Sequence, residues 1–265
     1  SIMASCIANS FLFSGNKEMN KHLSRRQFIQ MTSAALTVSP LLPVFAATPK
    51  EAVDLKQMIL INALGGMSNQ NIWAQSQGKQ NESVGKSSVR RMRSIDSRAI
   101  KDTLSSGTTA INATLGYVAG PEEPYEYTVN DIAEWNSIIH KHPDNLLKVW
   151  KADDIVRAKR ENKIGVIFGF QNARSIGDTL ERVNTFANLG VKIIQLTYND
   201  ANQIGDGSGV AENKGLSVFG HEVVEALNEN KVLVDLSHSG ENTCLDAVKT
   251  SEIPIAITHT GCRAL

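Results

Sequence analysis

The chain lacks a net charge: 27 basic residues stand against 27 acidic ones over 265 positions. Without a basic excess to neutralise phosphates, nucleic acid and anionic surfaces are excluded as main partners. Cysteine is also scarce. Cys6, Cys244 and Cys262 are all there are, and none is in a CxxC pair. That excludes a disulfide framework and an all-cysteine zinc site. No apolar run is long and unbroken enough for a stable membrane span, since Pro40 and Pro43 interrupt the best one, Met31 to Phe45. What remains is 42% hydrophobic residues with only 6% aromatics, the make-up of an ordinary α/β protein with a sizeable core.

The N-terminal part reads as address rather than fold. Ser24-Arg25-Arg26-Gln27-Phe28-Ile29-Gln30 has the form of a twin-arginine export signal, and Val44-Phe45-Ala46 offers small residues for cleavage after Ala46. Met19-Asn20-Lys21 looks like a natural start. Residues 1–18 are therefore expected to be an upstream or unstructured extension, 19–46 the signal, and 47–265 the mature domain. The expected location is the periplasm, with the twin-arginine machinery as a partner.

Six strands are expected, at Met58–Leu64, Thr108–Thr114, Ile164–Phe170, Val191–Thr197, Val232–Ser237 and Ile255–Thr258. Helical patterns fall between them at Val89–Leu104, Val129–His142, Ala152–Glu161, Asp178–Asn188, Ser217–Glu229 and Glu241–Thr250. Strict alternation of this kind predicts a parallel sheet with right-handed crossovers, of the (β/α)8 TIM-barrel type. About six βα units are present, so the barrel is expected to be incomplete, with helices outside, an open last strand and a tendency to form a homodimer. Gln75 to Ser88 is the most polar stretch and reads as a loop.

Two histidines carry the chemistry. Val232-Leu233-Val234-Asp235-Leu236-Ser237-His238 and Ile255-Ala256-Ile257-Thr258-His259 each close an apolar run with an imidazole. In a βα series the C-terminal strand ends share one mouth, where active sites of such folds lie. Two neutral imidazoles there are half of a metal site. Asp235, on the same strand face as Ser237, is placed to orient a ligand. Asn199, Asp200 and Asn202 follow the fourth of these strands and either line the cleft or form a plain polar loop.

From Lys163 to Leu265 the chain resembles the membrane (renal-type) dipeptidases, zinc hydrolases built on a (β/α)8 barrel. The likeness is carried by Lys163-Ile164-Gly165, Leu189-Gly190-Val191, Gln195-Leu196-Thr197-Tyr198 and Gly215-Leu216-Ser217-Val218-Phe219-Gly220. Val234-Asp235-Leu236-Ser237-His238, Thr258-His259 and Arg263-Ala264-Leu265 complete it. The resemblance implies zinc, proteolysis of a dipeptide or similar small amide, and His238 and His259 as metal ligands. It also exposes departures. Leu64 and Gly66 stand where the family's first-strand His and Asp belong, Gln171 stands at the bridging Glu, and Tyr198 at a substrate-contacting His. The family's later substrate-holding Arg and Asp fall beyond Leu265.

Ligand chemistry gives these departures weight. A glutamine carbonyl brings no bridging charge, so one zinc at most is expected, with Gln171 and Tyr198 as the remaining candidate catalytic groups. Three readings follow: a divergent metallohydrolase with one metal, a non-hydrolytic member that binds or modifies a small peptide-like metabolite, or an inactive scaffold whose histidines only cap strands.

Overall fold

The β-branched runs of the sequence pair side by side in parallel, each followed by a helix that lies back across the sheet. The structure, a computed structural model, describes residues 57–69 and 95–260. The assigned signal, the extension before it and the Gln75–Ser88 loop lie outside the described residues.

Among the described residues six strands form one sheet: β1 (Ile61–Gly65), β2 (Ala110–Leu115), β3 (Leu146–Lys148), β4 (Ile164–Phe170), β5 (Val191–Gln195) and β6 (Leu233–Asp235). Every pairing is parallel, in the order β1-β2-β4-β5-β6 with β3 also on β4. Backbone hydrogen bonds alternate along β4. The Ile164 N–H goes to Asn145 beside β3, and the Gly165 N–H goes to Thr109 beside β2. β3 therefore lies on the edge of β4 away from β2, along the first residues of β4, and β5 takes the rest of that edge. The result is an open, curled half-barrel, an incomplete (β/α)8 architecture.

The helices are α1 (Ser97–Ser105), α2 (Pro124–Lys141), α3 (Ala152–Arg160), α4 (Glu181–Asn188), α5 (Val218–Glu229) and α6 (Glu241–Thr250). Their starts follow local chemistry. α2 begins five residues before the expected Val129 because Glu123 accepts the Glu126 N–H and Pro124 fits the first turn. α5 begins as expected, with the Ser217 hydroxyl accepting the Gly220 N–H at 2.9 Å. Val166, Phe168, Phe170, Ile194 and Val234 turn one sheet face toward Trp135 of α2, Phe186 of α4 and Leu227 of α5. Burying each such side chain stabilises by about 1.5–3 kcal/mol, which makes this layer the main support of the fold.

Three expectations need correction. β3 does not show in the sequence pattern. It is only three residues long, and what fixes it is a side chain: the Lys148 ammonium donates to the Leu189 carbonyl at 2.8 Å and to Asn136 Oδ1 at 2.9 Å, over the Phe168 ring. Burial, with Lys192 nearby, pushes that lysine down to about 8. Second, Ile255–Thr258 does not become a full strand. It makes one bridge, Asp235 to Ala256: Pro254 has no N–H to extend the ladder on one side, and on the other the Thr258 N–H goes to the Asp235 carboxylate. Third, α3 is not on the same face as the others. Its Ile155 joins the smaller cluster of Ala110, Val149, Ile167 and Ile193 on the opposite face, where Gly165 leaves room for Val149 and Ala110, a Cβ at that glycine falling 3.0 and 3.2 Å from them.

Candidate active site at the strand ends

β6 ends in a turn that places His238 in the left-handed region, at φ 59°. Non-glycine residues adopt this backbone only where surrounding bonds hold it. Here the Ser208 N–H donates to the His238 carbonyl at 2.8 Å, and the Gly209 N–H donates to that of Asn199. The loop after β5 thus folds over the turn after β6. Gly207 makes that possible, since a Cβ there would fall 2.2 Å from the Asn199 carbonyl oxygen. Thr197 ties the same two segments through the Ser239 hydroxyl at 3.0 Å.

His259 arrives by a different route. The Leu236 N–H donates to Ala256 and the Ala256 N–H to Val234, which lays the segment beside β6. Asp235, 2% exposed, then fastens it. One carboxylate oxygen accepts the Ser237 N–H, the Ser237 hydroxyl and the Thr258 N–H at 2.9, 2.7 and 3.2 Å. The other accepts the Thr258 hydroxyl at 2.5 Å. The Ser237 oxygen in turn accepts the His259 N–H at 3.1 Å.

The two imidazoles meet, with ring centres 5.0 Å apart. Tyr198 stacks on His238 at 4.3 Å, its plane tilted by only 24°. Asn199 Oδ1 lies 2.8 Å from His238 Nδ1. An amide oxygen only accepts, so His238 carries its proton on Nδ1 and leaves Nε2 with a bare lone pair. Burial pushes the His238 imidazole below its ordinary 6.5 and nearby His259 adds to this, with Asp235 opposing. The neutral form is the one a metal or a donor requires. His259 Nε2 is buried and has no hydrogen-bond partner among the described residues.

The other sequence candidates occupy different places. Gln171 follows β4, and its amide is engaged: Nε2 donates to the Thr114 hydroxyl at 3.0 Å, and its backbone carbonyl accepts from Gln195 at 2.6 Å. Gln195 and Thr197 link it to the His238 carbonyl, a contact of 3.4 Å from the Thr197 hydroxyl. Leu64 is on β1, 36% exposed, at the far end of the strand order from β6. Asn199 is a site residue that the sequence left undecided, and Thr258 one that it passed over. The signal for Thr258 was its position directly before His259, matching Ser237 before His238.

Whether these residues suit a metal follows from the donor set. Among the described residues no three His, Cys, Asp or Glu side chains gather around one point. The histidine pair offers two neutral nitrogen donors, one of them a buried orphan. That fits a two-point anchor for one ion and does not fit a carboxylate-bridged pair of ions.

Known proteins bear on the same region. The dipeptidase tcpJ of Claviceps purpurea is 30% identical over 131 residues, 48% of this chain and 31% of its own length. An uncharacterized dipeptidase of Schizosaccharomyces pombe is 29% identical over 143 residues, 52% of this chain and 34% of that one. The chain thus spans about a third of the curated relatives it matches. A crystal structure of an amidohydrolase from Pseudomonas aeruginosa superposes with a TM-score of 0.61 at 28% identity, covering 77% of this chain and 54% of that one. The family model of membrane dipeptidases, peptidase family M19, matches residues 68–265. With a parallel half-barrel behind it and a histidine pair at its strand ends, the chain belongs to the membrane dipeptidase family.

Proposed function

We propose that this chain forms part of a metal-assisted hydrolase of dipeptides or similar small amides, with His238 and His259 holding a single zinc ion. The observation that carries the reading is the buried Nε2 of His259, unpartnered among the described residues, on a ring whose centre lies 5.0 Å from that of His238. A bound zinc supplies Lewis-acid polarisation of the scissile carbonyl. The remaining work falls to the chain's own groups. Asn199 keeps His238 in its donor tautomer, and the Tyr198 ring fixes the plane of that imidazole. The Tyr198 hydroxyl is the group at this mouth suited to donate a hydrogen bond to substrate oxygen. Gln171, a neutral amide already bonded to Thr114, takes no proton. Without a carboxylate in that role, turnover falls well below ~10 per second, the middle of the range for enzymes.

Elemental analysis of the purified protein, with dipeptide turnover, tests this. One zinc per chain is expected, absent in His238→Ala. Gln171→Glu, which supplies negative charge after β4, is expected to raise zinc affinity at least about tenfold. Wild-type protein that stays zinc-free under excess metal ends the metal reading. The absence of a third metal-binding side chain among the described residues favours one alternative, a member that binds or modifies a small peptide-like metabolite. Zinc uptake with no dipeptide turnover is the result that selects it.

Export to the periplasm by the twin-arginine pathway belongs to the same proposal and is supported by Ser24-Arg25-Arg26-Gln27-Phe28. Replacing Arg25 and Arg26 with lysine is expected to hold the protein in the cytoplasmic fraction.

A further inference from the structure

The Asp235 carboxylate does more than fasten two segments, because the hydroxyls around it have only one hydrogen each. The Thr258 hydroxyl lies 2.5 Å from Asp235 Oδ2 and 2.8 Å from His259 Nδ1. A carboxylate accepts and cannot donate, so the single Thr258 hydrogen goes to Asp235. Toward His259 the Thr258 oxygen then has only lone pairs to offer. His259 Nδ1 must carry the proton and donate it to Thr258. The Ser237 hydrogen is likewise committed to Asp235 at 2.7 Å, which leaves its oxygen to accept the His259 backbone N–H at 3.1 Å. The Ser237 and Thr258 oxygens also lie 3.2 Å apart, but that contact is longer than the bond each makes to Asp235, so both hydrogens stay on the carboxylate. The bare lone pair of His259 is forced onto Nε2, the nitrogen that is buried without a partner among the described residues.

We infer that Asp235 and Thr258 form a relay whose task is to lock His259 in its Nδ1–H tautomer and so keep Nε2 ready for a cation. They are positioning residues: both act through the imidazole. His238 receives the same tautomer from a separate source, the Asn199 amide oxygen. The two ligands are therefore set independently, one from the loop after β5 and one from beneath. The relay rests on the metal reading for its purpose and not for its existence, which gives the test two separable arms.

The first arm reads tautomers in the metal-free chain, by long-range proton–nitrogen spectroscopy on protein with nitrogen-15 histidine. Wild type is expected to show His259 with Nδ1 protonated. Asp235→Asn gives Thr258 a donor in place of an acceptor, turns its hydrogen toward His259, and is expected to move the proton to Nε2. Thr258→Val, which keeps size and branching, removes the acceptor and is expected to give a mixture of the two tautomers, while Thr258→Ser restores the wild-type signal. The His238 signals, unchanged in all three, report that the fold is intact. The second arm titrates zinc alone into each protein. Affinity is expected to fall roughly ten- to hundredfold in Thr258→Val, to fall at least as far in Asp235→Asn, and to return in Thr258→Ser. A His259 proton that remains on Nδ1 in both Asp235→Asn and Thr258→Val overturns the relay, whatever zinc does. Tautomers that shift as described in a wild-type chain that takes up no zinc overturn the metal reading and leave the relay standing.

Discussion

At the scale of residues, His238 carries a protonation cost that the rest of the site does not remove. Burial and the His259 imidazole both disfavour its charged form in the folded chain, and the unfolded chain has neither. As pH falls, the unfolded chain therefore takes up this proton first. The contribution is fully present above the ordinary 6.5 and is lost as pH drops through that value toward the lower folded one. Urea unfolding of metal-free protein from pH 8 to pH 5 is the measurement. Wild type is expected to weaken below pH 6.5, and His238→Asn, whose side chain suits the left-handed backbone, is expected to lose that share of the slope. An unchanged slope in the variant assigns the effect elsewhere. The pair itself was legible in the sequence, because each histidine ends an apolar run and strand ends of one sheet converge. The tautomers were not. They follow from counting hydrogens between side chains such as Asn199 and Thr258, whose neighbours only the folded chain reveals.

Among elements, the loop after β5 is the piece on which the site hangs. Gly207 lets it cross the Asn199 backbone, and the Ser208 and Gly209 N–H groups then hold His238 and Asn199 in place. Gly207→Ala sets a methyl group against backbone atoms that cannot swing aside. The expected loss is about 1–3 kcal/mol of stability, the usual size for overpacking. Zinc affinity is expected to drop by more than the stability loss alone explains, since Asn199 and His238 move together. Calorimetric melting beside zinc titration checks both, and a variant with wild-type zinc affinity would refute the bracing role. Periodicity made most elements visible. β4 and β5 lie where their apolar runs predicted, and Ser217 caps α5. It failed for β3, where three residues carry no pattern and a lysine side chain sets the position. It also overreached at Ile255–Thr258, where composition suited a strand but Pro254 and a single bridge did not complete one.

Across the described residues the sheet runs from β1 at one end to β6 and the segment bridged to it at the other. Ile61 at one end is 48% exposed, while Leu245, Val248 and Ile257 at the other are 50%, 56% and 57% exposed. Among the described residues no helix is long and apolar enough to cross a membrane. The 265-residue chain alone is expected to self-associate at micromolar concentration, and Ile61→Lys with Ile257→Lys to return it to a monomer in sedimentation experiments. A wild-type chain that sediments as a monomer throughout would count against it. The shared edge of β4 has a further consequence, in the order of folding events. β4 meets β3 across 164 − 146 = 18 residues and β5 across 191 − 168 = 23, but β2 only across 165 − 110 = 55. Closing the longest of these loops costs about 1 kcal/mol more than closing the shortest. β3, β4 and β5 are therefore expected to assemble first, with β2 and β1 added after the barrier. In stopped-flow kinetics Ile167→Val in β4 should mainly slow folding, whereas Ile100→Val in α1 should mainly hasten unfolding. The reverse pattern would place the nucleus at the other end of the sheet.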